Sequence, residues 1–103
     1  MKNDQPLKIT FTEAAIQDLD QIESFVTRLF SQSGAYDVIK AITTRIEQLT
    51  YLPFASKKDL SVRDSGIDLR YVLVKQARIQ FEIKGEDIII WRIQDARQHP
   101  DSF

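Results

Sequence analysis

Arginines recur through the last third of the chain, at Arg70, Arg78, Arg92 and Arg97. A guanidinium group stays charged at neutral pH and binds carboxylate or phosphate groups through paired hydrogen bonds. If these side chains lie on one face of the protein, they form a candidate site for an anionic partner. The simpler interpretation is that each arginine forms an ion pair within the fold.

Few other side chains are suited to chemistry. The chain has no cysteine, which excludes disulfides, thiol nucleophiles and cysteine-based zinc sites. Its single histidine, His99, argues against a histidine-based metal site, so we predict no metal and no cofactor. Lys57 and Lys58 add two positive charges to a polar segment, although neighbouring lysines most often belong to a solvated loop.

The overall charge does not support a general polyanion binder. The 103 residues include 14 lysines and arginines and 15 acids, a net charge of −1, so bulk charge predicts neither a nucleic-acid nor a membrane partner. No apolar run approaches the roughly 20 residues that span a bilayer, and the first residues lack the apolar core of a signal peptide. We expect one cytoplasmic domain over residues 1–103, flexible at 1–6 and 99–103.

The elements that must position these side chains begin with a strand and a helix. The segment from Leu7 to Phe11 alternates apolar and polar residues, as a strand does. Thr12 predicts the N-cap of the helix that follows. One apolar stripe runs along this helix, at Ala15, Leu19, Ile22, Val26 and Leu29. Three acids lie off the stripe and are predicted to face solvent or a partner, namely Asp18, Asp20 and Glu23.

A second helix is predicted from about Tyr36 to Leu52. Its apolar stripe consists of Ile39, Ile42, Ile46 and Leu49. Residues 31–34 separate the two helices and Pro53 ends the second, and so short a linker favours an antiparallel hairpin. Neither helix can bury its stripe alone, so both are predicted to pack on a sheet.

That sheet is predicted to be a meander of three strands after a long loop. The loop runs from Phe54 to Gly66 and has room for a short helical turn. The run Ile88–Ile93 is almost continuously apolar and is predicted to be the central strand, with Trp91 in the core. The fold class is therefore α+β in the order β-α-α-β-β-β, with a helical hairpin on one face of a twisted antiparallel sheet. The first strand is expected at an edge of the meander or beside its last strand.

The strand pattern also predicts where the arginines lie. Arg70 and Arg78 occupy polar positions of adjacent strands, so we expect them on one solvated face, with Val72 and Val74 partly exposed beside them. Arg92 interrupts an apolar strand and is predicted to be partly buried and ion-paired.

Four segments follow a recognisable family pattern in order and spacing. They are Thr12 to Ile22, Arg70, the run Ala77-Arg78-Ile79-Gln80-Phe81, and Asp95-Ala96-Arg97. Together they resemble the RelE/ParE superfamily of small bacterial toxins, over about residues 7–100. The chain departs from the pattern where tyrosines are common, at Ala77 and Phe81, and where a histidine is common, at Asp95.

The resemblance implies the toxin of a type II toxin–antitoxin system, of the plasmid-stabilisation type. Such a toxin inhibits growth and is held inactive by a cognate antitoxin, in complexes that can assemble further. One branch inhibits DNA gyrase without a nuclease site, and another cuts ribosome-bound mRNA. Because the tyrosines and the histidine are missing, the chain is more similar to the ParE branch, which implies gyrase as its target. An antitoxin tail is expected to lay a helix in a groove or to add a strand at a sheet edge.

Each branch implies different roles for the candidate residues. In the ParE-like interpretation, target or antitoxin is bound by Arg70, Arg78, Arg92, Arg97, Lys57 and Lys58. In the nuclease interpretation, Arg70, Arg78 and Arg97 hold phosphate and Asp95 is the general base, with Glu82 or His99 as alternatives. No general acid is evident, although cleavage through a 2′-hydroxyl needs one. The third interpretation is an inactive homologue that only binds its antitoxin.

Overall fold

The computed structural model describes residues 6–96, so the predicted flexible ends lie outside this range apart from Pro6. The elements in chain order are β1 (Lys8–Phe11), α1 (Glu13–Leu29), α2 (Gln32–Tyr51), β2 (Lys57–Lys58), a 3-10 helix (Leu60–Val62), β3 (Asp68–Val74), β4 (Ala77–Lys84) and β5 (Asp87–Asp95). The predicted α+β class and the helical hairpin are confirmed.

The five strands form one mixed sheet in the order β1-β5-β4-β3-β2. The meander β3-β4-β5 is antiparallel, as predicted, whereas β1 runs parallel to β5. The middle strand is β4, not the apolar strand β5. β1 covers only the first part of β5, with Lys8 opposite Asp87 and Phe11 opposite Ile90. The second half of β5 is therefore free to contact α1.

The core lies between the two helices and one face of the sheet. Its largest members, at most 2% exposed, are Ile22, Ile42, Ile46, Leu49, Ile79, Phe81, Ile88, Ile90 and Ile93. Burying a side chain of this size contributes roughly 1.5–3 kcal/mol. Both helical stripes are confirmed except at Leu29, which is 53% exposed at the end of α1.

Both helices begin at a side-chain cap. The predicted cap Thr12 accepts a hydrogen bond from the amide of Ala15 at 3.0 Å and donates one to the carbonyl of Trp91 at 2.8 Å. It therefore ties the start of α1 to β5. Ser31 caps α2 by accepting from the amide of Gly34 at 3.0 Å. Because of this cap, α2 begins at Gln32, earlier than predicted.

The segment predicted as a long loop contains a strand as well as the helical turn. β2 lies at the edge of the sheet and pairs with β3. Asp59 then caps the 3-10 helix by accepting from the amide of Ser61 at 3.0 Å. Asp64 and Gly66 turn the chain into β3 with φ angles of 68° and 83°, and the latter is a conformation that glycine adopts at little cost.

Across residues 6–96, no helix is long and apolar enough to cross a bilayer.

Candidate functional site

Arg70 and Arg78 lie on opposite faces of the sheet. Arg70 is paired with the core residue Phe81, whereas Arg78 is paired with Leu73. Because side chains alternate along a strand, Arg70 projects to the helix-covered face and Arg78 to the open face. The prediction that they share a solvated face is wrong. The prediction placed Arg70 and Val72 on the solvent-facing side of β3, whereas both residues are buried on the helix-covered side.

Arg70 is enclosed at the edge of the helix-covered face. Only 8% of the residue is exposed. Its Nε donates to Asp68 Oδ1 at 2.8 Å, and its guanidinium carbon lies 4.8 Å from the centre of the Phe54 ring. The ion pair and the ring together compensate for loss of hydration of the charge. Arg70 is thus held within the fold and is not presented on the open face.

Arg78 is held on the open face by an aromatic ring and a loop acid. Its guanidinium carbon lies 4.3 Å from the centre of the Tyr71 ring, and its Nη2 lies 3.6 Å from Asp59 Oδ2. The same carboxylate oxygen accepts from Gln80 Nε2 at 3.1 Å. Arg78 Nε is buried with no hydrogen-bond partner among residues 6–96. The guanidinium therefore keeps donor capacity that the described fold does not use.

The carboxylate of Asp59 fixes the loop against the sheet. Hydrogen bonds from the hydroxyl and the amide of Ser61 lower the pKa of Asp59, and Gln80 and Arg78 act in the same direction. The group therefore stays ionised to a lower pH than an ordinary aspartate and keeps its attraction for the guanidinium. No sequence signal identified Asp59 as a site residue, although an aspartate two residues before a serine is a common capping pattern.

Asp18 on α1 binds the exposed edge of β5. It accepts from Arg92 Nε at 2.8 Å and Nη2 at 3.1 Å, and from the amide of Ile93 at 2.8 Å. The carboxylate is buried, so the prediction that Asp18 faces solvent is wrong. It lies between Ala15 and Ile22 on the helix face that meets β5 beyond the end of β1, where the amide of Ile93 lacks a strand partner.

The predicted ion pairing of Arg92 is confirmed. Hydrogen bonding to Asp18 and its negative charge raise the pKa of Arg92. The arginine side chain remains about half exposed. Part of its surface therefore stays available to a partner, although its charge is already matched.

Trp91 lies on the surface and not in the core as predicted. The β4–β5 register shifts between Gln80 and Phe81, which makes Trp91 an extra residue in a β-bulge. A bulge re-aims side chains, and Trp91 is 42% exposed. Its indole Nε1 donates to Glu82 Oε1 at 3.1 Å. An even alternation of apolar residues could not reveal the bulge.

A groove of about 260 Å³ lies between the loop and the open face of the sheet. It is lined by Val62, Ile67, Leu69, Gln80, Glu82, Trp91 and Arg92. Apolar groups, an indole and both signs of charge meet in this groove. Such a surface resembles the exposed centre of a protein interface more than a phosphate-binding cleft.

The remaining candidate residues are scattered. Asp95 is fully buried at the end of β5, whereas Lys57 and Lys58 are exposed on β2. Arg97 and His99 lie outside the described residues. Within residues 6–96, no group of three or more histidine, cysteine or acidic side chains could hold a metal ion. The assignment of these residues to a binding or catalytic site stays a prediction.

Fold and site together define a small α+β protein with a helical hairpin on one face of a mixed sheet and a mixed apolar and charged surface on the other. The family described as "ParE toxin of type II toxin-antitoxin system, parDE" matches residues 9–100. The chain belongs to this ParE toxin family, which confirms the resemblance inferred from its motifs.

A solved structure described as "Chromosomal ParDE TA system from P. aeruginosa" has the same fold. It is similar with a TM-score of 0.71 and 21% sequence identity, over 86% of this chain and 95% of that chain. No curated protein matches the chain significantly.

Proposed function

We propose that this chain is the growth-inhibiting toxin of a type II toxin–antitoxin system, that it acts by binding DNA gyrase, and that a cognate antitoxin neutralises it. Family membership supports the general role. The choice of gyrase over mRNA is supported chiefly by one observation, the placement of Arg70 and Arg78 on opposite faces of the sheet.

A nuclease that acts on mRNA needs cations that converge on one phosphate, together with a base and an acid. Arg70 is enclosed by Asp68 and Phe54, and Arg78 is separated from it by the sheet. The candidate base Asp95 is fully buried. This arrangement favours a toxin that binds its target over one that cleaves it.

The open face is the surface that suits a protein target. Arg78, Trp91 and Arg92 lie on it or at its edge beside apolar groups, and aromatic and arginine side chains dominate the binding energy of many interfaces. Arg97 follows directly after β5 and its adjoining turn and is the candidate contact of the C-terminal segment. Lys57 and Lys58 extend the positive charge to the β2 edge.

Expression of the chain without an antitoxin tests the proposal. We expect growth to stop, with induction of the DNA-damage response and intact mRNA. Mapped cuts in ribosome-bound mRNA would instead identify a nuclease and contradict the gyrase target. Good expression without any effect on growth would indicate a homologue that only binds its antitoxin.

A further inference from the structure

The helical hairpin has a groove of about 640 Å³ between α1 and α2, near the tip where the two helices are joined. Glu23, Ser24, Thr27 and Arg28 line it on α1, and its α2 wall includes Tyr36. Within residues 6–96, no strand residue lines this groove. The groove therefore opens on the side of the hairpin that faces away from the sheet, opposite the open face.

Large apolar side chains are exposed at this end of the hairpin. Leu29 and Phe30 end α1 and are 53% and 64% exposed, and Tyr36 is 63% exposed. Neighbouring apolar side chains that stay in contact with water often mark a surface that binds another protein. The hairpin tip is thus a candidate interface on the opposite side of the protein from Trp91 and the open face.

The groove carries one negative and one positive side chain, Glu23 and Arg28. Neither forms an ion pair with another of residues 6–96. The guanidinium carbon of Arg28 lies 5.9 Å from the centre of the Phe25 ring, a contact that supplies no counter-charge. A partner that brings a base to Glu23 and an acid to Arg28 would match both charges.

A second copy of the chain is such a partner. When two copies of α1 pack antiparallel about a two-fold axis midway between Glu23 and Arg28, each residue meets its mirror position in the other copy. Glu23 then lies opposite Arg28 of the second copy, and Ser24 lies opposite Thr27. The two ion pairs are equivalent, and the small residues between them let the helices approach closely. The charges of the groove therefore complement themselves.

We propose that the chain forms a symmetric homodimer through this groove, with α1 antiparallel to α1 of the second copy. The contact buries part of Leu29 and Tyr36 and joins Glu23 of each copy to Arg28 of the other. Both open faces point away from the contact, so the dimer presents two target-binding surfaces. The proposal goes beyond the proposed function and does not depend on the identity of the target.

Sedimentation equilibrium of the purified chain measures the association. We expect the mean mass to rise from 11.9 kDa towards twice that value as the concentration increases from micromolar to millimolar. Glu23→Arg and Arg28→Glu each place like charges opposite one another and should weaken dimerisation about tenfold or more. Glu47→Arg makes the same charge change on α2 outside the groove and should dimerise as the natural chain does. An equal loss in Glu47→Arg and Glu23→Arg would contradict the assigned contact.

Mixing the two weakened variants provides the sharpest test. In a mixed pair, one copy supplies bases at both positions and the other supplies acids, so both contacts join opposite charges again. We therefore expect an equal mixture of Glu23→Arg and Arg28→Glu to associate under conditions where each variant alone is monomeric. Thermal unfolding of each variant shows that it is folded before mixing.

Two results would overturn the dimer. One is a natural chain that stays monomeric at millimolar concentration, and the other is a mixture of the two folded variants that stays monomeric. If the natural chain is monomeric but Glu23→Arg no longer arrests growth, the groove belongs to a different partner and the dimer is likewise overturned. No gyrase is present in these measurements, so failure of the gyrase assay would contradict the proposed target alone.

Discussion

At the scale of single residues, three of the candidate arginines differ because each forms an ion pair with a different acid. Arg92 pairs with a buried carboxylate on α1, Arg70 with its strand neighbour Asp68, and Arg78 with the loop acid Asp59. The Arg78 pair is the longest of the three, and its guanidinium keeps a donor without a partner among residues 6–96. That donor is buried, whereas the Arg92 side chain is 46% exposed.

Substitution of Asp18 tests its structural role. Asp18→Asn replaces a carboxylate that accepts from Arg92 and from the buried amide of Ile93. We expect the free energy of unfolding to fall by about 1–3 kcal/mol, because groups bonded to the carboxylate lose an acceptor. Urea unfolding measures the change. Asp20→Asn is the matched control on the exposed side of α1 and should stay within about 0.5 kcal/mol.

The pH dependence of stability tests the contact of Asp59. Its pKa is lowered in the folded protein from an ordinary value of 3.8, so its contribution to stability is fully present above that value. The contribution is lost as the pH falls through the lower, folded-state pKa. The difference in unfolding free energy between the natural chain and Asp59→Asn should therefore be constant near neutrality and shrink below about pH 3.8. A difference independent of pH down to pH 2 would contradict this role.

The role assigned to Arg97 makes a prediction about growth. Arg97→Ala should relieve growth inhibition while the far-ultraviolet circular dichroism and the melting temperature stay unchanged. Lys84→Ala, which removes an exposed charge at the end of β4, should leave inhibition intact. Undiminished inhibition by the Arg97 variant would show that this residue does not contact the target.

At the scale of elements, the parts with a regular period could be predicted and the irregular parts could not. The stripes of both helices and the alternation in β4 appear directly in the sequence, whereas the alternation in β3 did not show which side faces the core, since Arg70 and Val72 are buried and Leu73 is exposed. β2 has only two residues, both lysines, so it has no periodicity to detect. The pairing of β1 with β5 depends on contacts between distant segments. For the same reason, the local pattern could not predict that Asp18 is buried against β5 or that Asp59 holds the loop against the sheet.

The N-cap of α1 provides a test at this scale. Thr12→Ala removes the acceptor for the amide of Ala15 and the hydrogen bond to the carbonyl of Trp91. We expect a loss of about 0.5–2 kcal/mol in the free energy of unfolding. Thr44→Ala, at an exposed position within α2, should cost nothing or stabilise slightly because alanine favours helix. Equal effects of the two substitutions would contradict the capping role.

At the scale of the whole molecule, one face of the sheet forms the core and the other is exposed. The helical hairpin covers one face and forms the core with it. The other face carries the 3-10 helix and its flanking loop, an exposed indole and charges of both signs. A net charge of −1 gives no general attraction for a polyanion. These properties favour a protein as the partner of the open face.

Inhibition of purified DNA gyrase tests the central claim most directly. The purified chain is added to gyrase, ATP and relaxed plasmid, and the supercoiled product is measured. We predict a dose-dependent loss of supercoiling, weaker for Arg97→Ala and unchanged for Lys84→Ala. Full gyrase activity at a large excess of folded chain that still arrests growth in cells would contradict the account.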